Sequence, residues 1–116
     1  MMQRAHLREI MVNLLVNARE AAGANGIVQV SCRPSPQYAI ELRVKDSGEG
    51  IPPDQREQIF EAYFTTKKKG TGLGLAIVKQ NTELYGGEIV VESELGVGTE
   101  FILTFPTRVL LQENES

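Results

Sequence analysis

Residues 27–33 and 38–45 are two alternating runs with only Pro34, Ser35, Pro36 and Gln37 between them. That spacing constrains the fold more than any other feature of the chain. Residues 27–33 interleave Ile, Val and Cys with polar side chains, as a half-buried strand should. In the second run Tyr38, Ile40, Leu42 and Val44 share one face. A link this short makes the pair an antiparallel hairpin.

Residues 6–22 place Leu7, Ile10, Met11, Leu14, Leu15, Ala18, Ala21 and Ala22 at helical spacing, and Gly23, Asn25 and Gly26 stop the helix. The stretch 46–53, "DSGEGIPP", reads as loop, and residues 54–60 hold two helical turns with Pro53 tolerated at the start. Residues 61–71 show no period and are expected to be a mobile loop. A second helix is predicted over 73–84, Gly86 and Gly87 turn the chain, and strands over 88–93 and 99–105 join around "ELGVG". The order is helix, two strands, short helix, loop, helix, two strands. The expected fold is a two-layer α/β sandwich: a mostly antiparallel mixed sheet with helices on one face. Residues 1–106 form the expected domain, and residues 107–116 a polar-ended C-terminal tail.

At 116 residues the chain is one domain. A net charge of −3 argues against nucleic-acid binding, which needs a basic face. One cysteine and one histidine exclude an intrachain disulfide and a four-ligand structural zinc site. No apolar run approaches the roughly 20 residues of a membrane span, so no direct membrane contact is expected. A cytoplasmic location is expected, either as a protein or as the cytoplasmic piece of something larger.

Residues 67–75 read "KKKGTGLGL". In a P-loop the lysine follows the last glycine, and here the lysines come first. A Rossmann turn needs a third glycine where Leu75 stands, and a strand before the loop. What remains is a glycine loop opening a helix, whose backbone N–H groups can face an anion, or else a flexible loop with solvated lysines.

Three further stretches bear on that choice. Asn13 and Asn17 share one helix face; Asn17 could offer its carbonyl to magnesium, or both could be surface amides. Asp46, beside Gly48 and Gly50, could accept a hydrogen bond from an exocyclic amine, or be an ordinary turn aspartate. Thr99 could join the same network, or simply start a strand.

Taken together, these stretches resemble the ATP-binding catalytic domain of bacterial sensor histidine kinases, the Bergerat-type nucleotide fold. "NLLVNAREA" resembles the N box, "DSGEGIP" the first glycine box, "IFEAYFTTK" the F box, "GTGLGL" the second glycine box and "GVGTEF" the closing glycine–threonine motif. The resemblance runs from about residue 6 to Pro106. It implies ATP and Mg2+ as ligands, with Asn17 as the metal ligand and Asp46 accepting from the adenine amine. Gly48, Gly50 and Ile51 would line the base pocket, with Thr99 supporting Asp46. Phe60 and Phe64 would anchor a lid over roughly residues 53–71. Gly70, Gly72 and Gly74 would cover the phosphates, Lys67 would contact them, and Thr66, Thr71, Leu73 and Leu75 would belong to the nucleotide-binding set. Asn13 would belong to the catalytic set. It stands where related ATPases carry a general-base glutamate, and an amide cannot take a proton from water. The family's sheet begins with a strand ahead of the N-box helix, which this chain is expected to lack.

The implied function is transfer of the ATP γ-phosphate to a histidine on a separate dimerisation and phosphoacceptor domain of the same parent protein, with a response regulator downstream. The fragment alone is not expected to autophosphorylate. His6, on the same helix as the metal site, reads as a helix-surface residue rather than the acceptor. The alternatives are an anti-sigma-type serine kinase and a non-catalytic nucleotide-sensing module.

Overall fold

A computed structural model describes residues 2–34, 40–62, 64 and 73–106. The first helix, α1 (Arg4–Ala22), buries Ile10, Leu14 and Ala18, which recur every fourth residue and so form one stripe. Four strands follow the predicted order: β1 (Val28–Arg33), β2 (Ile40–Asp46), β3 (Glu88–Glu94) and β4 (Gly98–Phe105), with α2 (Gly74–Leu84) between β2 and β3. They form one sheet in the order β1-β2-β4-β3. Every described pairing is antiparallel, so the sheet is antiparallel rather than mixed.

Alternation divides the sheet into two faces. Leu42 and Val44 of β2, Phe101, Leu103 and Phe105 of β4, and Ile89 and Val91 of β3 pack into one core with α1 and Val78 of α2. Phe101 and Leu103 are almost fully buried, and each such side chain contributes about 2–3 kcal/mol of transfer free energy. The opposite face is charged. There Arg43 bridges Glu41 at 2.6 Å and Glu100 at 3.1 Å, and its guanidinium lowers the Glu41 pKa. Helices therefore cover one face only.

The structure corrects three sequence expectations. All six residues of β1 are exposed, so this strand is not half-buried. Its apolar set, Val28, Val30 and Cys32, does lie on the helix side, opposite Asp46, Val44 and Leu42. Among the described residues, however, no strand pairs with the outer edge of β1, and little covers its face. Alternation reports which side of a strand is apolar, not whether anything lies over it. Residues 54–60 are not two continuous helical turns but two 3-10 turns, Pro53–Gln55 and Gln58–Phe60. Asp46 does not follow β2; it is the last residue of β2 and pairs with Thr99. Tyr38, the 107–116 tail and most of the expected mobile loop lie outside the described residues.

Candidate functional site

The period of two that turns Val44 and Phe101 into the core also turns Asp46 and Thr99 inward, two residues along each strand. Asp46 pairs with Thr99, and Thr99 pairs with Ser93, so the three polar residues form a row across β2, β4 and β3. Asp46 is only 2% exposed. Burial pushes its pKa up, and backbone N–H groups of Gly48 and Thr99 partly oppose this by bonding the carboxylate. A carboxylate has about four acceptor positions, so two backbone bonds leave capacity for another donor.

The loop after β2 is held close to this row. Gly48 donates to Asp46 Oδ1 at 2.8 Å, and a Cβ on Gly48 would lie 2.5 Å from the Ala21 carbonyl oxygen, so only glycine fits against α1. Gly50 has φ +84°, and a Cβ there would lie 2.5 Å from the Glu94 carbonyl oxygen. The backbone of Glu49 accepts from Gly96 N–H at 2.8 Å. Ile51 N–H donates to Ser93 Oγ at 2.7 Å. Arg56 donates to the carbonyls of Ser93 and Ile51, tying the first 3-10 turn to β3.

The other end of the site is helical. Ala21 borders Gly48, and Asn13 lies eight residues back, about 12 Å along the α1 axis. Asn13 Nδ2 donates to the Glu9 carbonyl at 2.7 Å. Its Oδ1 lies 2.9 Å from where a Cβ on Gly74 would stand, at the first residue of α2. Asn17 is half-buried, one turn from Asn13 on the same helix. The N-cap residue Leu73 makes no side-chain capping bond, and the first turn of α2 carries no acidic residue.

Phe60 and Phe64 both pack against the core, and Phe60 meets Phe101 edge-to-face with centroids 6.1 Å apart. Lys79 Nζ lies 5.7 Å from the Phe60 ring centroid. Leu73 and Leu75 are half-buried at the start of α2. Thr66, Lys67, Gly70, Thr71 and Gly72 lie outside the described residues.

Magnesium, expected from the resemblance, needs hard oxygen donors and keeps several waters beside phosphate oxygens. The amide side chains of Asn13 and Asn17 on one face of α1 fit that chemistry. A cavity of about 610 Å³ between α1 and α2, bordered by His6, Glu9, Lys79 and Asn81, contains none of the base-pocket residues and is not this site. His6 is held at the helix surface, its Nδ1 bonded to the Tyr85 hydroxyl.

Sequence reasoning missed Ser93 and Arg56. The hairpin register around "ELGVG" carried the signal for Ser93, because pairing 94 with 98 puts 93 opposite Thr99. Nothing in the spacing pointed to Arg56, whose role depends on where the 53–60 segment turns.

The fold is a one-faced antiparallel α/β sandwich with a buried carboxylate at one end of the candidate site and the start of α2 at the other. Residues 2–109 match the family described as histidine kinase-, DNA gyrase B-, and HSP90-like ATPase, and the chain belongs to that family. It is 43% identical over 103 residues to the sensor histidine kinase ZraS of Escherichia coli (strain K12), covering 89% of this chain and 22% of that protein. The mycobacterial sensor histidine kinase MprB superposes with a TM-score of 0.82 at 32% identity, covering 90% of this chain and 74% of that one. ShkA, solved full-length in complex with AMPPNP, superposes with a TM-score of 0.77 at 38% identity, covering 87% of this chain and 21% of that one. The chain thus spans about a fifth of the length of the curated sensor kinases it matches. Among the described residues no helix is long and apolar enough to cross a membrane.

Proposed function

We propose that this domain binds Mg·ATP and presents the γ-phosphate to a histidine on a separate phosphoacceptor domain of its parent protein, as the catalytic domain of a two-component sensor kinase. The observation that carries the reading is the two-ended site. A buried acceptor at Asp46 lies beside Gly48 at the Ala21 end of α1, and the start of α2 lies beside Asn13, about 12 Å from Ala21 along the α1 axis. That shape suits an elongated ligand with an amine at one end and anionic oxygens at the other.

In this reading Asp46 accepts from the adenine amine, with Gly48, Gly50, Ile51 and Thr99 forming the pocket around it. Asn17 holds the metal through its amide oxygen, and Asn13 lies beside the phosphates. Magnesium bound there neutralises phosphate charge. The first-turn N–H groups of α2 hold phosphate oxygens, aided by the helix dipole. Phe60 and Phe64 fix the base of a lid from which Lys67 reaches the phosphates. Residues 1–106 act as the catalytic unit. Positioning and charge neutralisation do the work, and the acceptor histidine comes from outside. Asn13 supports transfer over hydrolysis, since no glutamate stands there to activate water. The parent protein then passes the phosphoryl group to a response regulator from the cytoplasmic side.

Calorimetric titration with ATP, with and without magnesium, tests binding; γ-labelled ATP with and without a separately produced phosphoacceptor domain tests transfer. Magnesium-dependent binding without self-labelling, and phosphohistidine on the added domain, are expected. Label on the chain itself, or phosphoserine on a protein substrate, would redirect the reading.

A further inference from the structure

We propose that Ser93 is a positioning residue that determines which nucleobase the pocket accepts, acting through Thr99. The inference rests on the reading of Asp46 as the acceptor of an exocyclic amine. Ser93 Oγ has three polar neighbours: the Ile51 N–H at 2.7 Å, the Gly98 carbonyl oxygen at 3.1 Å and Thr99 Oγ1 at 2.8 Å. A serine hydroxyl has one proton to donate and two lone pairs to accept with. The Ile51 N–H can only donate, and the Gly98 carbonyl can only accept. Ser93 therefore gives its proton to Gly98 and takes one from Ile51. Its contact with Thr99 is then satisfied only with Thr99 as the donor.

This assignment fixes the character of the neighbouring group. The single hydroxyl proton of Thr99 is directed at Ser93, so Thr99 Oγ1 has only lone pairs left for anything else. Beside it, across the β2–β4 pairing, the ionised Asp46 carboxylate also offers only lone pairs. The row therefore presents acceptors without a donor. Such an edge attracts a 6-amino purine and repels a 6-oxo purine, whose carbonyl oxygen would face lone pairs. Ser93 need not touch the base to do this.

Removing the Ser93 hydroxyl frees the Thr99 proton, which can then turn to a 6-oxo group. The test measures the affinities of ATP and ITP, each with magnesium, for the full chain and for Ser93→Ala, Ser93→Cys and Ser93→Thr. Wild type should prefer ATP. Ser93→Ala should lower the ATP-to-ITP affinity ratio roughly tenfold, the size of one net hydrogen bond gained and one lost. Ser93→Cys, with a weakly bonding thiol of similar size, should lower it too and serves if the alanine variant does not fold. Ser93→Thr keeps a hydroxyl and should keep the ratio. Loss of stability alone would weaken both nucleotides together and leave the ratio unchanged. An unchanged ratio in the alanine and cysteine variants, or a wild type that binds both nucleotides equally, overturns the Ser93 proposal. A wild type that binds neither nucleotide overturns the nucleotide reading itself.

Discussion

At the end of the site proposed to take the base, Asp46, Thr99 and Ser93 come from three adjacent strands, and the loop beside them is tied down through Gly48, Glu49, Ile51 and Arg56. At the other end, proposed to take the phosphates, Asn13, Asn17 and Gly74 come from two helices, with Asn13 lying against Gly74. A sheet register places side chains to within a residue, because slipping by one would turn Asp46 out to the charged face. Helix termini instead offer backbone N–H groups, which suit any anion of the right size. In the proposed function the two ends divide the labour: the strands discriminate and the helices attract.

The largest effect should come from Asp46→Asn, which replaces an ionised acceptor with a neutral amide. ATP affinity should fall about a hundredfold, in line with loss of a charged hydrogen bond in a buried site. The pH dependence sharpens the comparison. Burial raises the native pKa of Asp46 above its ordinary 3.8, so folding disfavours its ionised form. The contribution of Asp46 to stability is therefore greatest below 3.8 and is lost as pH rises through the native value. The melting temperature of free wild type, relative to Asp46→Asn, should rise on acidification while ATP binding weakens. Both trends moving together would show that Asp46 does not hold the base.

With Asn17 in its proposed role as metal ligand, Asn17→Ala should weaken Mg·ATP roughly tenfold but leave magnesium-free ATP binding nearly unchanged. A loss that persists in excess chelator would put Asn17 in a structural role. Arg56→Gln removes two ties between the first 3-10 turn and the 51 and 93 backbones. Stability should fall by about 1 kcal/mol, read from urea midpoints, and ATP affinity about fivefold. The smallest effect is expected at the lysines. Lys67→Ala should weaken ATP about threefold, Lys69→Ala less, and raised salt should erase the difference. Equal or reversed losses would remove Lys67 from its proposed phosphate contact.

Much of this architecture is readable from local pattern. Ile10, Leu14 and Ala18 mark the buried stripe of α1, and Leu42 and Val44 mark the inner face of β2, because side-chain periodicity is a property of the chain itself. The glycines of "DSGEGIP" announce a tight loop, and a Cβ on either Gly48 or Gly50 would lie 2.5 Å from a backbone oxygen. The exposure of β1 was not readable. Val28 and Val30 look like core residues in any local window, yet their burial depends on what lies across from them. Arg56 was equally silent, since an arginine in a turn-rich segment looks like any solvated charge.

Chain pattern alone settled the order of elements, the antiparallel hairpins, and the polar residues grouped near glycines. Those follow from backbone sterics and side-chain period, which act over a few residues. Tertiary structure decided which polar groups meet. Ser93 and Thr99 already meet within the β3–β4 hairpin, but Asp46 joins them only when β2 falls into register with β4, and Asn13 reaches Gly74 only when α1 and α2 pack on the same face. Contacts of that kind are set by the global packing minimum, so no local window contains them.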